Sequence, residues 1–401
     1  MKIRPVILCG GAGTRLWPNL KKYQAKQFLD FGGWTLIGQT LKRVKNPLFD
    51  TPIISTNLEY LKDVKKHLKK NKIKKYKIIL EPTKKNTGPA ILSSALLKDI
   101  PDKQPMVILS ADHLIENVSK FNIELKKNEK FLNDKNIFIF GIKPSVPSEH
   151  YGYFTTKKVK LKLNKVLKFI EKPNKLKAKQ IIKKKGYWNS GMFFIRKDSI
   201  IYNFRKYQKN IFRNSFLAVK KAKLKKNVYF LNKKEFNKIN SKSFDYAILE
   251  KMNNINAIKL NIPWSDLGSW KEILLMYNKN LKRYYNKNNT YYRPWGKYTN
   301  LFNGNNFLIK EIIVKPKGIL SLQKHFHRSE QWLITKGKPL ITLNKKRFIK
   351  KPNDTISIPK GAIHRIENPN KKPVKIMEAQ LGQVLKESDI IRYQDAYGRA
   401  N

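Results

Sequence analysis

The chain has 401 residues, 41% of them hydrophobic and 28% charged, which excludes wholesale disorder and, at roughly 150 residues per domain, predicts two to three domains. Its single cysteine, Cys9, excludes a disulfide framework, and no run approaches about 18 apolar residues, so no membrane partner is expected and a cytoplasmic setting is. The formal charge of +57 would suit nucleic acid, but the lysines are strewn over all segments alike (Lys65-Lys66, Lys183 to Lys185, Lys345-Lys346, Lys350-Lys351), so they read as solvated faces and no nucleic-acid partner is expected.

The first predicted element is a short buried strand, Val6 to Cys9, which empties into Gly10-Gly11-Ala12-Gly13-Thr14-Arg15-Leu16-Trp17-Pro18. Glycines let a backbone approach a ligand and turn N–H groups toward phosphate oxygens, and Arg15 can add a charge-assisted contact. Two familiar glycine loops are ruled out. No Lys-Ser/Thr pair follows Gly13, as a mononucleotide P-loop requires, and Leu16 stands where a dinucleotide fingerprint needs its third glycine.

Further along, Ile53-Ile54, Lys77 to Leu80, Met106 to Leu109 and Ile137 to Phe140 read as strands, separated by helical stretches such as Ala90 to Leu97 and Phe121 to Leu132. This alternation predicts an α/β fold with a Rossmann-like, mostly parallel sheet and ligand sites beyond the strands' carboxyl ends. Asp112, in Ser110-Ala111-Asp112-His113, falls at such an end. There a carboxylate can hold Mg²⁺ against a triphosphate, since that ion takes one or two carboxylates plus phosphate oxygens. A helix cap is the plainer role for such an aspartate. Asp266, in Trp264-Ser265-Asp266-Leu267-Gly268-Ser269-Trp270, is a second carboxylate that could share the ion, whereas His113 reads as a packing or hydrogen-bonding residue. Phe169-Ile170-Glu171-Lys172-Pro173 offers a carboxylate for sugar hydroxyls beside a cation for phosphate, against the plainer reading of a surface ion pair. Trp188-Asn189-Ser190-Gly191-Met192-Phe193 sets an amide among small residues, suited to reading hydroxyls.

Gly10-Gly11-x-Gly13-Thr14-Arg15-Leu16-Trp17-Pro18 followed by Lys26-Gln27-Phe28-Leu29 resembles the opening of sugar-nucleotidyltransferases, closely that of mannose-1-phosphate guanylyltransferases. The other motifs match in the family's order: Glu81-Pro82-Thr83 with Asn86-Thr87-Gly88-Pro89-Ala90 at the nucleobase, Tyr151-Gly152-Tyr153 on the sugar side, and Phe244 to Lys251. The resemblance spans residues 3 to 275 and implies transfer of GMP from GTP to mannose 1-phosphate, giving GDP-mannose for polysaccharide biosynthesis. It implies nucleotide contacts from Gly10, Gly11, Gly13, Thr14, Arg15, Lys26, Glu81 and Asn86. It also implies sugar-phosphate contacts from Gly152, Glu171, Lys172 and Asn189, and Mg²⁺ on Asp112 and Asp266, with Arg15, Lys26 and Lys172 catalytic. The chain departs from the family at Leu20-Lys21, Gln24-Ala25, Lys85 and Ser110.

A polar stretch, 276–293, reads as a linker, and it lacks the repetitive β segment that long family members insert there. From 294 to 401 short alternating strands predict a small all-β barrel or sandwich: Phe307 to Val314, Gln331 to Thr335, Pro339 to Leu343, Asp354 to Ile358 and Val374 to Ala379. Within it, Ser321-Leu322-Gln323-Lys324-His325-Phe326-His327-Arg328-Ser329-Glu330-Gln331-Trp332 puts His325 and His327 on one face if the strand runs on, as it does Gln323 and Gln331, with His364 more distant. Together they predict a divalent metal centre (Zn²⁺, Co²⁺, Mn²⁺ or Fe²⁺) of His325, His327 and His364 completed by Gln323 or Glu330. The pattern, with the ending Asp389 to Arg399, resembles the cupin-type mannose-6-phosphate isomerase domain fused to these guanylyltransferases. That resemblance implies interconversion of mannose 6-phosphate and fructose 6-phosphate, with Arg328 and Arg399 toward the substrate phosphate. Phe326 and Gln331 stand where relatives commonly carry histidine, so the alternative is a guanylyltransferase whose barrel is vestigial or sugar-binding. A homo-oligomer is compatible with either reading.

Overall fold

The structure is a computed structural model that describes residues 1–11, 16, 25–159, 163–284 and 287–398. Its backbone forms two compact units, one of Met1–Gly13, Gln24–Phe28 and Thr35–Asp266, the other of Thr14–Tyr23, Leu29–Trp34 and Leu267–Asn401.

The first unit is built on an 11-stranded sheet. The strand Arg4–Cys9 lies at its heart, parallel to Ile53–Asn57 on one side and Pro105–Ser110 on the other. Lys77–Glu81 continues the parallel run. These strands are buried along nearly their whole length because the sheet is covered on both faces, which is why their apolar residues come in continuous runs instead of alternating. Beyond Pro105–Ser110 the sheet becomes mixed. Tyr187–Arg196 runs antiparallel to its neighbours, and Tyr153–Lys158 pairs with Asn164–Ile170 as a hairpin; only Ile255–Leu260 with Ile137–Ile142 restores a parallel pair. A hairpin needs no helical crossover, so the helix–strand alternation that predicts parallel pairing lapses there. Two cores result, one on each sheet face: Ile7, Ile54, Phe138, Phe140 and Phe194 belong to one, and Val6, Ile53, Ile139, Phe193 and Phe244 to the other. Residue by residue the strands alternate between them, as the period of two demands.

The second unit holds a six-stranded and a five-stranded antiparallel sheet. Phe307–Val314 pairs with Val374–Gly382, which in turn pairs with Arg328–Lys336. Leu322–His325 sits between His364–Glu367 and Ile390–Gln394. Trp295, Trp332, Ile341, Ile356, Ile366 and Ile376 belong to its apolar core. Beside them Gln323, His325, Glu330, His364, Glu378 and Gln380 are buried or partly buried.

Among the described residues no helix is long and apolar enough to cross a membrane.

Candidate functional site

In the first unit the carboxyl ends of Arg4–Cys9, Ile53–Asn57, Lys77–Glu81 and Pro105–Ser110 open into a cavity of about 270 Å³ lined by Gly10, Gly11, Asn57, Glu81, Asn86 and Asp112, among others. Parallel strands deliver their last residues to the same edge, which brings together motifs up to a hundred positions apart. The Gln27 amide donates to the Gly11 carbonyl at 3.1 Å, tying the segment after the glycine loop back to it. Glu81 is buried and accepts from the Ser55 hydroxyl at 2.6 Å; burial, only partly offset by that bond, pushes its carboxyl up to about 7. Asn86 caps the helix Thr87–Ala95, accepting from Thr87 N, at φ +71° and ψ −177°. That region is almost reserved for glycine and costs on the order of 1–3 kcal/mol, strain of a kind that gathers at ligand sites.

Lys26 is buried. Its ammonium lies 2.9 Å from the Asp112 carboxylate and donates to the backbone carbonyl of Asp266. The Asp266 carboxylate itself accepts from the Tyr151 hydroxyl at 2.7 Å. Burial alone would raise the Asp112 carboxyl, but Lys26 and His113 outweigh it and hold it below its ordinary value. Expected as separate triphosphate and metal residues, Lys26, Asp112 and Asp266 thus form one cluster joined by the lysine. His113 packs edge-on against Trp264, ring centroids 5.3 Å apart.

On the sugar side, the Gly152 carbonyl accepts from Asn189 N at 2.7 Å, and a Cβ on Gly152 would come within 2.5 Å of Glu171 Oε2. Burial, then Asp245, pushes the Glu171 carboxyl up to about 7. Lys172 lies 3.6 Å from it at φ +45°. The Asn189 amide donates to Asp245 at 2.7 Å, and burial pushes that aspartyl up to about 6. Asp245 and Tyr151 sit inside recognisable motifs yet were not singled out from the sequence; a carboxylate within Phe244 to Lys251 was the available signal. Gly13, Thr14 and Arg15 lie outside the described residues, as does Arg399.

In the second unit, ligand atoms of His325, Glu330 and His364 all lie within 4.8 Å of one another, and all three residues are buried. The Gln323 amide nitrogen is 3.4 Å from His325 Nε2. His327 departs from expectation. The strand ends at His325, so the alternation that would have put His327 on the same face stops, and its side chain is 61% exposed with Nδ1 2.8 Å from Asp389. Arg328, expected at the substrate phosphate, is instead drawn inward, its guanidinium against Glu330 at 3.4 Å and the Lys386 carbonyl at 2.9 Å. Although burial pushes upward, His325, His364 and Arg328 hold the Glu330 carboxyl well below its ordinary value. The donors fit a divalent ion: a carboxylate held ionised, two imidazoles, and a buried His364 Nε2 with no hydrogen-bond partner. Trp332, from the sequence motif, donates its indole N–H to both Glu330 and Glu378 at 3.0 Å. Burial, then Glu330, pushes the Glu378 carboxyl up to about 8.

A cavity at the switch edge of an α/β sheet, followed by an all-β unit with a His–Glu–His cluster, defines a sugar-nucleotidyltransferase carrying a second, all-β domain. The nucleotidyl transferase family model matches residues 4–283, and the model for the mannose-6-phosphate isomerase C-terminal domain matches residues 280–395. The chain is 30% identical to the mannose-1-phosphate guanylyltransferase of Klebsiella pneumoniae over 98% of its own length and 99% of the relative's. It is 29% identical to the alginate biosynthesis protein AlgA of Pseudomonas fluorescens over 99% and 97%. Among solved structures, the mannose-6-phosphate isomerase of Helicobacter pylori aligns at 26% identity with a TM-score of 0.58, covering 66% of this chain and all of that one. The mannose-1-phosphate geranyltransferase of Thermus thermophilus shares the fold at 23% identity and a TM-score of 0.59, covering 69% and 79%. The chain belongs to the mannose-1-phosphate guanylyltransferase family and carries that family's isomerase-type C-terminal domain. Both kinds of domain generally use divalent metals.

Proposed function

We propose that the chain transfers GMP from GTP to mannose 1-phosphate and interconverts mannose 6-phosphate and fructose 6-phosphate in its barrel. The transferase function is assigned to residues 1–275 and the isomerase function to 294–401. The observation that carries the first activity is the convergence of Gly10, Gly11, Glu81, Asn86 and Asp112 on one cavity. A phosphate oxygen of mannose 1-phosphate attacks the α-phosphorus of GTP; the bond to the β-phosphate oxygen breaks and pyrophosphate leaves. The nucleophile is already an anion, so positioning and charge neutralisation are the main demands. Glu81 supports guanine, because an ionised carboxylate can accept from both N1–H and the exocyclic amine of that base. Backbone N–H groups of the glycine loop with Thr14, Arg15 and Lys26 hold the triphosphate, while Lys172, Glu171, Asn189 and Gly152 hold the sugar phosphate. Mg²⁺, bound by Asp112 with Asp266, would neutralise phosphate charge.

In the barrel, His325, Glu330 and His364 with Gln323 would hold a divalent ion able to polarise a sugar carbonyl. The vestigial-barrel reading fits this cluster less well, since a lapsed site has no need of buried, unpartnered donors. Pyrophosphate release across a panel of nucleoside triphosphates and sugar 1-phosphates tests the first activity; failure with GTP and mannose 1-phosphate rejects it. Conversion of fructose 6-phosphate across several divalent ions tests the second.

A further inference from the structure

Arg328 is held against Glu330 and the Lys386 carbonyl, so further cations are wanted to receive an anionic substrate in the barrel. We propose that Arg392 and Lys310, with Arg293 at the rim, form a phosphate-binding site that seats a hexose 6-phosphate in the barrel cavity. The proposal rests on the isomerase reading above.

A cavity of about 90 Å³ is bounded by these three residues together with Gln323, Glu330 and Glu378. It is large enough for a phosphate group, being several times the room one water needs. Gln323 and Glu330 belong to both the candidate metal cluster and the cavity wall, so one space joins the metal donors to the cations. Strand register explains the juxtaposition. Gln323 stands opposite His364 on one side and Arg392 on the other; Lys310 stands opposite Glu378, and Gln380 opposite Glu330. Cross-strand partners share a face, so these side chains point into the same interior.

The charges suit an anion. Five cations line the cavity, Arg293, Lys310, Arg328, Lys386 and Arg392, against three carboxylates, Glu330, Glu378 and Glu387. That leaves an excess of positive charge, which favours an anionic group such as a phosphate monoester. Lys310 is largely sequestered and sits 3.8 Å from Glu378, its ammonium over the Tyr298 ring at 5.0 Å. Arg293 is braced from one side by Glu387 at 3.1 Å and the Tyr298 hydroxyl at 3.4 Å. Arg392 forms no ion pair among the described residues, and its Nε is buried without a hydrogen-bond partner. A buried guanidinium N–H left unpaired is costly, and a phosphate oxygen would satisfy it.

The test uses the full chain. Arg392→Ala is expected to raise KM for fructose 6-phosphate roughly 10- to 100-fold with kcat nearly unchanged, the signature of uniform binding lost; Arg392→Lys should recover part of it. Lys310→Met should act in the same direction. Inorganic phosphate should compete with fructose 6-phosphate in the parent and lose that competition in Arg392→Ala, while metal content and pyrophosphate release stay at parental values. An isomerase whose KM and phosphate inhibition are indifferent to both substitutions overturns the site and leaves the isomerase reading standing. A parent that does not isomerise, yet binds fructose 6-phosphate by calorimetry in an Arg392-dependent way, keeps the site and overturns that reading. A parent that binds neither fructose 6-phosphate nor inorganic phosphate sinks the site.

Discussion

The two candidate sites are assembled by opposite means. In the first unit the residues follow strands, on the loops at one edge of a mostly buried sheet, so each contribution is a contiguous stretch such as Glu81-Pro82-Thr83 or Ser110-Ala111-Asp112-His113. In the second the residues lie on strands, facing inward, so each strand contributes every other side chain: Gln323 and His325 from one, Glu330 and Trp332 from the next, Glu378 and Gln380 from a third. Loop-borne sites can exchange chemistry without disturbing the core, whereas a strand-borne site is part of the core. Glu330 and Glu378 accordingly line the cavity while held from behind by the indole of the core residue Trp332.

If the sites are separate, substitutions in each should silence one reaction and spare the other. Asp112→Asn is expected to cut pyrophosphate release by on the order of 100-fold or more with fructose 6-phosphate conversion unchanged; equal loss of both would break the comparison. His364→Ala should abolish the metal content assigned to the barrel, measured by elemental analysis, and with it isomerisation, while GDP-mannose formation persists. Removal of barrel metal by chelation should mimic it and be reversed by adding the ion back. A smaller change, Glu81→Gln, should lower the preference for GTP over ATP by roughly 10- to 100-fold in kcat/KM, the ~1–3 kcal/mol of one lost bidentate pair. Gly152→Ala should weaken mannose 1-phosphate about tenfold by pushing on Glu171 Oε2, with KM for GTP unmoved.

The buried carboxyls add a pH dependence to the first unit. Glu81 is raised from 4.5 to about 7, so the folded state binds more protons than the unfolded one between those values. Its contribution is therefore present at low pH and lost as pH rises through about 7, by roughly 3 kcal/mol in the limit. Thermal denaturation of the ligand-free protein should show Glu81→Gln losing less stability than the parent between pH 5 and 8. GTP binding, which needs the ionised carboxylate, should strengthen over the same range.

How far the sequence could be read follows from this contrast. Gly10-Gly11, Asp112, Glu171-Lys172 and Asn189 announce themselves as motifs, because a loop at a strand end carries its chemistry in neighbouring positions. Lys26 is legible as a cation, but not as the bridge between Asp112 and the Asp266 carbonyl, which depends on a lysine meeting residues far along the chain. In the barrel His325, Glu330 and His364 were legible as donors. The exclusion of His327 was not, since it turns on where one strand stops. Arg392 was legible only as one position of the ending Asp389 to Arg399, without a role, and Lys310 and Glu378 gave no signal at all: a lone lysine or glutamate in a strand is indistinguishable from a surface residue until its partners are known.

What the sequence determined by itself is thus the alternation of elements, the division into an α/β region and an all-β region, and the loop motifs, all set by local periodicity and local backbone demands. Only the tertiary structure decided which charges face one another. It withdrew Arg328 into a carboxylate network, turned His327 out to Asp389, and brought Lys310 and Arg392 to one cavity. Strand register places those residues side by side, and register is a property of pairing between distant segments, on which no single stretch of sequence carries the information.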